Sequence, residues 1–176
     1  MRAFVTVGST RFDALVQRAL SDAVLDVLRT AGYSTVIVQC GNSDFDTGSY
    51  TQNGESWTRA LEGGGAIEVW RFKASLDEEY KQADLVISHA GSGTILDVLR
   101  LQKPLIVVPN STLLDDHQQE LATALAGLGH VWAATVPSLP QTITTLDPST
   151  LVPFPKFDGS RFRELLDEEM GFALET

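Results

Sequence analysis

The feature that most constrains this chain is a rhythm: short apolar runs rich in β-branched residues alternate with stretches whose apolar residues recur at helical spacing. The runs are residues 2–7, 35–39, 67–72, 84–88, 105–108 and 131–134. Between the first two, Val16, Leu20, Ala23, Val24, Val27, Leu28 and Ala31 form one stripe, which predicts a single helix from Asp13 to the stop at Gly32. Ile95, Val98, Leu99 and Leu101 predict a second helix after the 84–88 run, and a short acidic helix is expected over 75–82. Asp115 or Asp116 can cap a further helix along Leu121, Ala124, Leu125 and Leu128 that Gly129 stops. Another short helix is expected near 141–146. Strands that alternate with helices imply a parallel sheet with helices on both faces, so the expected fold is a single Rossmann-like α/β domain.

A chain of 176 residues is long enough to bury one core and too short for two ordinary domains, so residues 1–176 are read as one unit. No apolar run approaches the roughly 18 residues a membrane span needs, and the opening Met-Arg-Ala-Phe-Val-Thr-Val-Gly reads as a strand rather than a leader. The one cysteine, Cys40, excludes an internal disulfide and fits a reducing, cytoplasmic setting. A net charge of −10 argues against nucleic acid and anionic lipid as partners. Residues 41–65, rich in Gly, Ser, Asp and Asn, read as a surface excursion without regular periodicity. At the other end a Pro-rich crossing precedes a helix expected over 159–174. Its Phe162, Leu165, Leu166 and Met170 stripe either packs on its own domain or docks a partner.

Parallel α/β sheets bind ligands beyond the carboxyl ends of their strands. Three segments follow strands directly: Gly8-Ser9-Thr10, the turn His89-Ala90-Gly91-Ser92-Gly93-Thr94, and Asn110 to Gln119. The second would put backbone N–H groups and a helix N-terminus at one point, a cradle for a diphosphate, with Ser92 and Thr94 hydroxyls as further donors. The alternative is a turn whose glycines serve chain geometry alone. A dinucleotide fingerprint fails because Leu96 stands where the third glycine belongs, and a nucleophile elbow fails because Ala90 and Thr94 flank Ser92. His89 is placed either to donate to a phosphate or to sit in the core as a satisfied imidazole. Asp97, one turn on, either accepts from ribose hydroxyls or is an ordinary exposed acid. Asp116, Gln118 and Gln119 either recognise a sugar or form a polar cap. Gly8, Ser9 and Thr10 either shape the opposite rim or form a structural turn. No His or Cys pair has metal-ligand spacing, so no metal and no cofactor are expected.

The run from Ile87 through Asp97, then Lys103-Pro-Leu-Ile-Val-Val-Pro109, then Asp116-His-Gln-Gln119, resembles the donor-binding, C-terminal half of GT-B glycosyltransferases. With the opening Val5-Thr-Val-Gly-Ser-Thr10, it resembles the cytosolic subunits of the two-component UDP-N-acetylglucosamine transferases of asparagine-linked glycosylation. The resemblance covers Met1 to about Trp132. It implies that His89, Gly91, Ser92, Gly93 and Thr94 meet the diphosphate of UDP-N-acetylglucosamine. It implies further that Asp97, where many relatives carry glutamate, meets the ribose, and that Asp116, Gln118 and Gln119 meet the sugar. The activity implied is addition of the second N-acetylglucosamine to a dolichol-diphosphate acceptor. A membrane-anchored partner would carry that acceptor and recruit the chain to the cytosolic face of the endoplasmic reticulum. No general base is identifiable in this chain, and the partner is the expected place for one. The competing expectation is a nucleotide-sugar-binding regulatory module without catalysis.

Overall fold

The computed structural model describes residues 1–61, 64–112, 117–156 and 158. The apolar runs form six parallel strands: β1 (Arg2–Thr6), β2 (Thr35–Gln39), β5 (Ala66–Trp70), β6 (Leu85–His89), β7 (Leu105–Val108) and β8 (Trp132–Ala133). Two further strands, β3 (Thr51–Asn53) and β4 (Ser56–Ala60), form a hairpin, and β4 pairs antiparallel with β5. The eight-stranded order is β3-β4-β5-β2-β1-β6-β7-β8. The parallel strands taken alone follow the doubly wound order 3-2-1-4-5-6, whose direction of winding reverses between β1 and β6.

Successive strand residues face opposite sides, and the two sides hold two cores. Ala3 and Val5 of β1, Leu85 and Ile87 of β6, and Ile106 and Val108 of β7 pack with α1 (Asp13–Ala19), α2 (Asp22–Thr30) and α6 (Leu139–Thr144). Phe4, Val86, Leu105 and Val107 face α3 (Asp77–Gln82), α4 (Ser92–Arg100) and α5 (His117–Gly127). Phe4, Leu15, Leu28, Ile87 and Ile106 are fully buried, and each removes apolar area worth about 1.5–3 kcal/mol. Glu79 of α3 is buried between the guanidinium of Arg2 and the Lys73 ammonium, the pairing a buried charge requires.

Two expectations change. The single helix expected from Asp13 to Gly32 is two, because the chain leaves helical geometry at Ser21 (φ −73°, ψ 149°), whose carbonyl then starts the α2 ladder by accepting from Val24 and Leu25. The apolar stripe survives because α1 and α2 pack on the same core. Gly32 does end α2, in the left-handed conformation (φ 91°), with its N–H on Arg29 O and the Tyr33 N–H on Leu28 O. The segment 41–65 is not all irregular: it contributes β3 and β4, turning at Gly54 (φ 63°) after Asn53. The expected C-terminal helix at 159–174 lies outside the described residues.

Candidate functional site at the carboxyl end of the sheet

The turns after β1 and β6 meet where the winding reverses, and the His89 imidazole joins them. Gly8 has φ 60°, a conformation that favours glycine, and a Cβ there would lie 2.9 Å from His89 Cε1. A Cβ on Gly91 would overlap the same ring at Nε2 and lie 2.9 Å from Cε1. The ring therefore fills the gap between the two turns, and its size sets their separation. His89 is 6% exposed, and its Nδ1 is buried without a hydrogen bond of ordinary geometry among the described residues. Burial pushes its pKa below the ordinary imidazole value, opposed in part by the Thr6 backbone. Neutral imidazole is thus the favoured form, and the ring is a wedge between turns rather than an exposed cation.

Gly91 precedes α4 as its N-cap and offers no side-chain cap, and the first turn of α4 carries no acidic residue. The ladder begins with Ile95 N–H on Gly91 O at 3.0 Å, which leaves the N–H groups of Ser92, Gly93 and Thr94 ahead of it without a partner among the described residues. They lie at the end of a helix dipole equivalent to about half a positive charge. Gly93 has an ordinary φ, and a Cβ on it would meet nothing within 4 Å. Ser92, Gly93 and Asp97 are exposed, with Asp97 one turn beyond Gly93. Thr94 is half-buried, and its side chain hydrogen-bonds toward the Tyr80 phenol. Burial raises the Tyr80 pKa, the Thr94 bond lowers it, and the charges of Asp97 and Asp77 raise it further. Thr94 is thus engaged by Tyr80, while the exposed Ser92 has no side-chain hydrogen bond among the described residues.

On the rim, Thr10 N–H closes the turn on Val7 O at 3.2 Å, and the Ser9 carbonyl accepts from Asn42 Nδ2 at 3.2 Å. Gln118 is fixed by its carbonyl oxygen, which accepts from Asn110 N–H at 2.9 Å, and its side-chain NH2 has no partner among the described residues. Gln119 is exposed and donates to Thr123 Oγ1 at 3.3 Å, along its own helix. Asp116 lies outside the described residues. Buried Asn110 ties this corner together, donating to Arg11 O at 3.3 Å and accepting from Thr112 N–H and Oγ1 at 3.1 and 2.8 Å. In the sequence Asn110 is only the first residue of a segment that follows a strand. Its role depends on the loop after β1 lying beside the loop after β7, a neighbourhood that no local pattern announces.

A concavity of about 670 Å3 lies elsewhere, between α2 and β4, lined by Asp22, Asp26, Arg29 and Arg59 among others. Its wall is of mixed charge and is remote from the turns at the strand ends. The exposed N–H groups of α4 at the switch point are the stronger candidate for an anionic ligand. Among the described residues no group of three or more His, Cys, Asp or Glu side chains is arranged to hold a metal ion.

A model of the glycosyltransferase family 28 C-terminal domain matches residues 2–168. The chain is 40% identical to the UDP-N-acetylglucosamine transferase subunit ALG13 of Mus musculus over 82% of its own length, but spans only 12% of that protein. It is 36% identical to the protein of the same name from Cryptococcus neoformans over 96% of each chain, and 35% identical to that of Saccharomyces cerevisiae over 94% of each. Among solved structures it superposes on the solution NMR structure of ALG13 with a TM-score of 0.68 at 30% identity, covering 94% of both chains. The crystal structure of MurG from Acinetobacter baumannii gives 0.59 at 21% identity over 85% of this chain and 42% of that one, a likeness of fold.

Proposed function

Because this chain belongs to the glycosyltransferase family 28 C-terminal domain family, we propose that it binds UDP-N-acetylglucosamine and serves as the donor-holding subunit of a two-part N-acetylglucosaminyltransferase. The observation that carries this reading is the N-terminus of α4, where exposed, uncapped N–H groups face space that Gly93 leaves open. A diphosphate laid there gains charge-assisted hydrogen bonds from the N–H groups of Ser92, Gly93 and Thr94 and from the Ser92 hydroxyl.

Transfer breaks the bond between the sugar C1 and the β-phosphate oxygen as an acceptor hydroxyl oxygen bonds to C1. The electron pair of the broken bond stays on UDP, so negative charge grows on the diphosphate. Donors already fixed by the helix stabilise that charge without reorganising, which lowers the barrier to departure. Asp97 accepts from the ribose hydroxyls, and Gln118 and Gln119, with Asp116, recognise the N-acetylglucosamine. Gly8, Ser9 and Thr10 form the facing rim. His89 acts by spacing the two turns.

The acceptor is a dolichol-diphosphate-linked N-acetylglucosamine, held by a membrane-anchored partner that also supplies the general base and brings the chain to the cytosolic face of the endoplasmic reticulum. Among the described residues no helix is long and apolar enough to cross a membrane. The test is transfer of labelled N-acetylglucosamine from UDP to the lipid-linked acceptor, with the purified chain alone and with partner-containing membranes. Activity only in the second case is the expected result. Activity of the chain alone removes the partner from the reading, and donor binding without transfer in either case replaces it with a non-catalytic nucleotide-sugar-binding module.

A further inference from the structure

We infer that Gln39 is a positioning residue for the donor cradle, an inference that rests on the proposed donor-binding role. Gln39 ends β2, between β1 and β5, and is 2% exposed. Its amide reaches both neighbouring strand ends: Nε2 donates to Gly8 O and to Arg71 O, each at 2.8 Å, and Oε1 accepts from Thr6 Oγ1 at 2.6 Å. Thr6 Oγ1 in turn accepts from Gly8 N–H at 3.1 Å. Both polar groups of the Gly8 residue are thus held by two buried side chains that hold each other.

The space around this clamp is filled. Gly41 (φ 54°) passes so close that a Cβ there would lie 2.6 Å from Gly8 O and 3.2 Å from Gln39 Nε2. The His89 ring lies so near both turns that a Cβ on Gly8, or on Gly91, the N-cap of α4, would come within 2.9 Å of its Cε1, so a shift of the Gly8 turn is passed to the Gly91 turn through the ring. The position of the α4 N-terminus relative to the β1 rim therefore traces back, through His89 and Gly8, to one amide on a third strand. An apolar residue at position 39 would fill the same volume but leave the Gly8 carbonyl unheld. An amide is what lets one side chain donate to two strand ends and accept from a third group.

The test uses the full-length chain with Gln39→Met. Without any donor, the amide resonances of Gly8 and Gly91 and the ring resonances of His89 are expected to move in NMR spectra, while those of Gly32 and Gly129 stay in place. With partner-containing membranes, the KM for UDP-N-acetylglucosamine is expected to rise about 10-fold with kcat within about 2-fold. A merely structural role would lower the active fraction, and so the apparent kcat, and leave KM unchanged. Unmoved Gly8, Gly91 and His89 resonances, or an unchanged donor KM, in folded Gln39→Met overturn the inference. Should that variant fail to fold, Thr6→Val removes the hydroxyl linking Gln39 to the Gly8 N–H and is judged by the same two readings. A wild-type chain that neither binds nor uses the donor would sink the functional reading and leave the NMR arm to decide the clamp.

Discussion

Gly91 and Gly93 stand two residues apart in one turn, yet the structure gives them opposite reasons for being glycine, and substituting each with alanine separates the two. A Cβ on Gly91 overlaps the His89 ring, which is itself wedged against Gly8 and cannot retreat. Gly91→Ala should therefore cost about 1–3 kcal/mol as an overpacked site. A drop in Tm of roughly 2–4 °C per kcal/mol follows for a chain of this size. A Cβ on Gly93 meets nothing within 4 Å, and the residue lies inside α4 with ordinary backbone angles. Gly93→Ala should leave stability unchanged or raise it by up to about 1 kcal/mol, since alanine loses less backbone entropy in a helix. Its methyl group nevertheless stands where the diphosphate is proposed to lie. Losing one charge-assisted contact costs about 1.5–3 kcal/mol, a rise of roughly 10- to 150-fold in donor KM. Thermal unfolding followed by circular dichroism and donor titration of transfer, on both variants, test the pair. A Gly93→Ala protein with wild-type donor KM would refute the cradle. One destabilised by more than about 2 kcal/mol would show that the space is filled, against the absence of any described residue there.

Gln118→Glu keeps an oxygen that can accept from Asn110 N–H and replaces the donating NH2 group with a charged oxygen that only accepts, so Tm should stay within about 2 °C while donor KM rises, and an unchanged KM would show that the amide does not meet the sugar. The His89 ring, followed by NMR, should titrate with a midpoint below the ordinary 6.5. Because its folded pKa is depressed, the unfolded chain binds the proton more readily, so this group costs stability as pH falls through 6.5 toward the folded value; His89→Gln should shrink the stability difference between about pH 7.5 and 5.5, and an unchanged difference would contradict the burial argument. Gly41→Ala should destabilise more than Gly8→Ala in urea unfolding, since its Cβ would strike the Gly8 backbone carbonyl whereas that of Gly8 meets a side chain; the reverse order would refute the packing account.

The parallel frame was legible because each strand is an apolar run ended by a turn, and strand-helix alternation leaves few topologies. The hairpin was not, because Thr51–Asn53 is polar and exposed, and only Asn53-Gly54 hinted at it. The break at Ser21 was hidden because Leu20 and Val24 continue one stripe across it. At the site, the glycine turn could be found from its residues, but which glycine makes room for a ring and which leaves room for a ligand depends on where His89 turns. In the sequence Gln39 and Thr6 are only polar residues within apolar runs, and nothing beside them marks a buried bond. Their partners belong to other strands and appear only when β5, β2 and β1 lie side by side.

Among the described residues both margins of the sheet are narrow. At one edge β3 offers three exposed polar residues, and at the other β8 has two. An incoming strand of ordinary length, about five or six residues, would find too short a ladder to pair with at either side. Edge-to-edge growth into larger assemblies, the hazard of a long open sheet, is therefore blunted by the way the outermost strands end.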